Sequence, residues 1–142
     1  MAPDRCAYDD PMSLDPQVVA FARADNFAVF TTLRPDGHPV SQPMWVDADD
    51  DCVLINTELH RRKFRNVEAD PRVTVTIIDK NNPYSYVEVR GTVVEVVKGE
   101  QPRAHIDQLS QKYSGQPYPA DGIKSERVIL RIKPLETSEK QD

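Results

Sequence analysis

Residues 84–97 read YSYVEVRGTVVEVV, a long strand-forming run of β-branched and aromatic residues. Its apolar positions fall at Val87, Val89 and Val93 and then move to Val94 and Val96, so the buried face changes just beyond Gly91. A strand that switches faces beside a glycine is bending, as the strands of barrels do.

Working outward, Lys80-Asn81-Asn82-Pro83 breaks this run from RVTVTIID at Arg72–Asp79, a second strand. Upstream, Phe27–Arg34 and Pro39–Val46 flank Pro35-Asp36-Gly37, the chemistry of a tight turn, and predict a β-hairpin. Cys52-Val53-Leu54-Ile55 is a strand too apolar to have a wet face, and with the hairpin it predicts an antiparallel meander. Val128–Ile132 gives the last strand, followed by a polar tail from Pro134. Three short helices complete the order. Asp15 and Pro16 open the first, with Val18, Phe21 and Ala22 on one face and an end near Asp25 and Asn26. The second runs over Glu58–Ala69 with Thr57 as its cap. Glu100–Ser114 is the third, with Ile106 and Leu109 inward, Gly115 as C-cap and Gln116-Pro117-Tyr118-Pro119 leading out. Six antiparallel strands leave costly edges unless the sheet curls. The expected fold is therefore mainly β with short helices, a small barrel with the helices at its mouths.

With 142 residues the chain is expected to be one domain over 1–142, with polar tails at 1–12 and 135–142. No apolar run approaches the ~20 residues of a membrane helix, and the mean hydropathy is -0.58. Asp4, Asp9 and Asp10 leave the start unlike a secretory signal, so a cytoplasmic protein is expected. A net charge of -5 argues against general binding to nucleic acid or anionic lipid. Cys6 and Cys52 lack CxxC or His spacing and are expected to be inert thiols, not a metal or redox pair. No GxSxG, GxGxxG or GxxxxGK occurs, which excludes the usual hydrolase, Rossmann and P-loop chemistries. His38, His60 and His105 have no i+4 partner in a metal pattern and are expected at the surface or as caps, with no metal bound.

One constellation survives. His60-Arg61-Arg62-Lys63-Phe64-Arg65-Asn66 puts four cations into seven residues of an acidic chain. They fall just after a strand, at a helix start whose free N–H groups and dipole already favour an anion. A solvated basic face paired with Glu68 or Asp70 would give the same charge pattern; acidity elsewhere favours a bound anion. Trp45, Tyr84, Tyr86, Tyr113 and Tyr118 are each more often core residues, but beside an anion clamp they suit a flat, phosphate-bearing ligand. Pro43 cannot donate to a ladder, so Gln42-Pro43-Met44-Trp45 should lie at an edge or rim.

Taken in order, TTLRPDGHP (31–39), PMW (43–45), NT (56–57) leading to RRKFRN (61–66) and DPRV (70–73) resemble a known family. So do NPYSYVEVRG (82–91), HID (105–107) and KYSG (112–115). These segments resemble the flavin/deazaflavin oxidoreductases with the pyridoxamine 5'-phosphate oxidase-like split β-barrel, over Val18–Lys133. The resemblance implies a six-stranded antiparallel split β-barrel, the FMN-binding split barrel, and looks most like the branch using coenzyme F420, an 8-hydroxy-5-deazaflavin with a phosphate and an oligoglutamate tail. By that resemblance Arg61, Arg62 and Lys63 would hold the phosphate or tail carboxylates, supported by Thr57 and Asn66. Gln42, Pro43, Met44 and Trp45, with Val46, would line the ring. The implied assembly is a homodimer with cofactor sites at the subunit interface, Tyr84 and Tyr86 approaching from the partner chain. The implied reaction is hydride transfer between reduced deazaflavin and a small electron-poor acceptor, with no catalytic acid assigned. An FMN-dependent reductase, or a non-catalytic flavin- or deazaflavin-binding protein, is the alternative on the same barrel. The long carboxy-terminal extension by which true pyridoxamine phosphate oxidases recognise substrate has no counterpart in the sequence, so a vitamin-biosynthetic role is not expected.

Overall fold

The computed structural model describes residues 14–140. The tail expected over 1–12, Cys6 included, lies outside them. The first helix, α1 (Pro16–Arg23), starts where Asp15 Oδ1 accepts from the Gln17 amide at 2.8 Å, and it buries Val18, Phe21 and Ala22 as its periodicity requires. The strands β1 (Phe27–Leu33) and β2 (Pro39–Met44) form the expected hairpin, and among the described residues β1 is the one strand β2 pairs with. Pro43 thus sits on an edge strand, where its missing N–H costs nothing.

Among the described residues seven strands, not six, make one antiparallel sheet, because Asp47–Ala48 adds a two-residue β3. With β4 (Val53–Glu58), β5 (Arg72–Asp79), β6 (Asn82–Val97) and β7 (Arg127–Lys140), the spatial order is β2-β1-β5-β6-β7-β4-β3. The sheet curls without closing, which is the split-barrel arrangement. The meander is not formed: β4 pairs with β7, from Val53↔Ile132 to Glu58↔Arg127, not with β2. All six residues of β4 are buried, whereas β2 is mostly exposed, so β4 needs the covered side of the sheet and β2 its rim.

The bend near Gly91 is real and is made by two bulges. Across β6 and β7 the register steps from Arg90↔Glu136 to Gly91↔Pro134 and again from Val93↔Ile132 to Glu95↔Arg131, leaving Leu135 and Val94 as the extra residues. Val94 is therefore 46% exposed rather than buried, and the inward set resumes at Val96. A Cβ on Gly91 would collide with the Lys133 carbonyl oxygen, so the close approach of the two strands requires glycine there. The expected carboxy-terminal tail is also corrected: residues 134–140 continue β7, paired with Tyr86–Gly91. Backbone pairing to an already bent partner holds this segment without an apolar pattern, and Pro134 sits at the bulge.

The second helix, α2, spans Arg62–Ala69 and not Glu58–Ala69. Thr57 belongs to β4 and caps nothing; Arg61 occupies the N-cap without a side-chain bond. Glu58 stays in the strand because its carboxylate accepts from the Lys124 and Ser125 amides and from Arg127, the residue that opens β7. The third helix, α3 (Glu100–Ser114), ends at Gly115 in the left-handed region (φ 73°), with Ile106 and Leu109 buried. Phe30, Ile55, Ile77, Leu130 and Ile132 fill the curled sheet, and α1 covers it. Cys52 is fully buried and disulfide-bonded, not the free thiol expected. Among the described residues no helix is long and apolar enough to cross a membrane.

Candidate cofactor cleft

A cleft of about 460 Å³ opens between the β2–β3 corner, the end of β4, the start of α2 and one face of α3. Its volume lies within the ~300–1,000 Å³ usual for small-molecule sites. One wall is apolar, from Phe27, Pro43, Met44 and Trp45; Ile106, Leu109 and Tyr118 face it; Asn56, Thr57, Arg61, Lys63 and Arg127 make the polar end.

The apolar wall is braced from behind. Trp45 stacks on Tyr113 at 5.1 Å between centroids and 3° between planes, and Tyr118 meets Trp45 edge-on at 6.2 Å. The Tyr113 hydroxyl donates to the Asn26 carbonyl and accepts from the Val46 amide at 3.2 Å, while Lys112 Nζ donates to the carbonyls of Ala22 (2.9 Å) and Val46 (2.7 Å). These bonds fix the turn that carries Trp45. Burial pushes the Tyr113 phenol up to about 12, so it stays protonated at neutral pH and serves as a brace rather than an acid–base group.

At the polar end the Lys63 ammonium is held below its ordinary value, first by burial and then by Arg61 and Arg127 nearby. Among the described residues no carboxylate lies within ion-pair distance of Arg61, Arg62, Lys63 or Arg65. The solvated alternative required Glu68 or Asp70 as partners. Asp70 is instead taken by Arg72, at 2.7 and 3.0 Å, which holds its carboxyl at about 2. Unpaired, mutually repelling cations around a cleft are an arrangement that an anion relieves.

Arg127 differs from the other cations. It opens β7 opposite Glu58, is only 9% exposed, and donates from Nε to Asn56 Oδ1 (2.8 Å) and from Nη1 to Glu58 Oε2 (3.1 Å), with the Tyr118 ring 5.3 Å from its Cζ. Glu58 is fully buried; burial opposes its charge, but the amides of Ser125 (2.8 Å) and Lys124 (2.7 Å), together with Arg127, hold its carboxyl below the usual range. His105 is buried as well, which corrects its expected surface position. Its ring lies 2.9 Å from Asp47 Oδ2 and 3.0 Å from Asn56 Nδ2.

Of the residues singled out from sequence, Pro43, Met44, Trp45, Thr57, Arg61 and Lys63 line the cleft. Gln42 is exposed on β2, opposite Phe30, and Arg62 is exposed on the first turn of α2. Asn66 is buried and donates to Thr32 Oγ1 at 3.0 Å, which ties α2 to β1. Tyr84, 69% exposed, and Tyr86 lie on β6 and are not among the lining residues. Sequence reasoning missed Arg127, Asn56 and Phe27 as lining residues. Only the β4–β7 register, which sets Glu58 opposite Arg127, could have pointed to the first.

Residues 14–141 match the pyridoxamine 5'-phosphate oxidase family. The chain belongs to that family. Its described strands and helices form the family's split barrel, and among solved structures it is similar to an F420 reductase, at 34% identity and a TM-score of 0.74, over 84% of this chain and 94% of that one. With the family match, this likeness places the chain in the split-barrel flavin/deazaflavin superfamily. A conserved hypothetical protein from Mycobacterium tuberculosis shares the fold at 22% identity and a TM-score of 0.72, covering 92% of this chain and 86% of the other. A heme storage protein from Vibrio cholerae shares it at 16% identity and a TM-score of 0.64, over 91% and 96%. Among curated proteins no match is found.

Proposed function

We propose that this split-barrel protein is an F420-dependent reductase, within the flavin- and deazaflavin-type oxidoreductases to which its family and its likeness to an F420 reductase assign it. The observation that carries the reading is Lys63: an ammonium depressed first by its half-burial and then by Arg61 and Arg127, without a carboxylate among the described residues, at one end of a cleft whose other end is an aromatic and apolar wall. Flat ring and anionic arm are the two chemistries these ends accept, and they fit F420.

In this assignment Phe27, Pro43, Met44 and Trp45 hold the ring against Ile106 and Leu109, and the stacked Tyr113 keeps Trp45 from turning. Arg61 and Lys63 bind the phosphate, Arg62 lies outward along the tail, and Thr57 lines the wall between ring and cations. The chemistry supplied by the bound cofactor is two-electron hydride donation to a small electron-poor organic acceptor, with the accompanying proton from solvent. The side chains orient and exclude water. A homodimer completes the cleft, with Tyr84 and Tyr86 contributed by the second copy.

Titration with F420 and with FMN, followed by ring fluorescence, tests the reading. Tight F420 binding with weaker FMN binding is expected, followed by acceptor-dependent oxidation of reduced F420. Nanomolar FMN binding without F420 binding reassigns the cofactor to FMN, and tight binding of either without turnover on any acceptor makes the protein a carrier.

A further inference from the structure

The buried network behind Arg127 has a hydrogen-bond direction that its end groups dictate. A guanidinium only donates and the Pro102 carbonyl only accepts, so Asn56 must turn Oδ1 to Arg127 Nε (2.8 Å) and Nδ2 to Pro102 (2.9 Å). Its Nδ2 then also points at His105 Nδ1, 3.0 Å away, which must accept. The ring proton is thereby placed on Nε2, where it donates to Asp47 Oδ2 at 2.9 Å. Every bond from Arg127 to Asp47 runs the same way, drawn from β7, β4, α3 and β3 into one chain.

This is more than a buried ion pair needs. Glu58 alone supplies the counter-charge, yet a second, neutral holder grips Nε and leaves the guanidinium lining the cleft beside Arg61 and Lys63. We infer that Arg127 is a ligand-binding residue of the cleft and that Asn56 and His105 position it, so that its fork is fixed before the cofactor's anionic arm arrives. The inference rests on the F420 reading for the identity of the ligand. Arg61 and Lys63 supply unpaired charge, whereas Arg127 supplies direction; a planar fork held on two sides loses little freedom on binding.

The experiment compares F420 with its deazaflavin nucleoside, which lacks phosphate and tail, by fluorescence titration of the full chain. Arg127→Lys keeps the charge and loses the fork; it is expected to weaken F420 about tenfold or more while leaving the nucleoside within about twofold. His105→Gln offers a donor to Asp47 but no acceptor at the Nδ1 position, and is expected to weaken F420 several-fold. His105→Asn restores an acceptor near the Nδ1 position and recovers most of the affinity. Equal F420 affinity in Arg127→Lys and the unaltered protein overturns the inference, as does equal loss of both ligands. Should Arg127→Lys fail to fold, the two His105 variants decide: identical affinities overturn the positioning chain. If the unaltered protein binds FMN and not F420, the cofactor reading fails by itself, and FMN against riboflavin takes the place of the first pair. Binding of neither cofactor overturns both.

Discussion

Lys63 and Arg127 border the same cleft, yet one has no carboxylate partner among the described residues and the other is gripped by Asn56 and Glu58 beneath Tyr118. The difference follows depth. At the rim an unpaired ammonium keeps part of its hydration and can wait for an anion; at nine-tenths burial an unpaired guanidinium would cost several kcal/mol. The rim cations are thus available to a ligand in charge, and the inner one in geometry.

The largest expected effect breaks the inner pair. Glu58→Ala leaves Arg127 buried without its carboxylate and should cost ~3–5 kcal/mol in urea unfolding, whereas Lys63→Ala, which removes a repelled charge, should change stability by no more than about 0.5 kcal/mol. Similar losses in both would erase the distinction. The pH dependence has a definite sign. The Glu58 carboxyl is depressed below its ordinary 4.5 in the folded chain, so its contribution is complete above that value and is lost as pH falls through the depressed one. Glu58→Gln should flatten the acid limb of the stability curve.

Next in size is the rim itself. Lys63→Ala should weaken F420 by ~1.5–3 kcal/mol, the range for a charge-assisted contact, and reduce the salt dependence of binding because less charge remains to be screened. Anion binding raises the Lys63 pKa from its lowered starting point. Affinity is therefore complete at pH below the free-protein value and declines as pH rises through the value in the complex. A titration still flat at 10.5, the ordinary lysine value, would remove Lys63 from the clamp.

Local chemistry made the rim legible and long-range pairing hid the interior. Asp15–Pro16, the Pro35-Asp36-Gly37 turn and Gly115 each carry their instruction within a few residues, and the helix and hairpin they mark formed where the pattern put them. The four cations of residues 61–65 are likewise adjacent in sequence. By contrast, the β4–β7 ladder joins residues about 70 positions apart, and its choice over a meander depends on how completely β4 is covered. Arg127, Asn56, His105 and Asp47 come from four elements and meet only once that ladder is made. Residues 134–140 read as a tail because a strand held by a bent neighbour needs no apolar alternation of its own.

The smallest effect belongs to Arg62, which shares the basic run but stands exposed on the outer side of α2. Its contact with a ligand would be a solvent-exposed ion pair, worth less than about 1 kcal/mol and screened by salt. Arg62→Ala should therefore weaken F420 with a long oligoglutamate tail only a few-fold, leave a single-glutamate form unchanged, and lose even that difference at high salt. A loss as large as that of Lys63→Ala, persisting at high salt, would place Arg62 inside the clamp and make the cleft deeper in the complex than its walls now define.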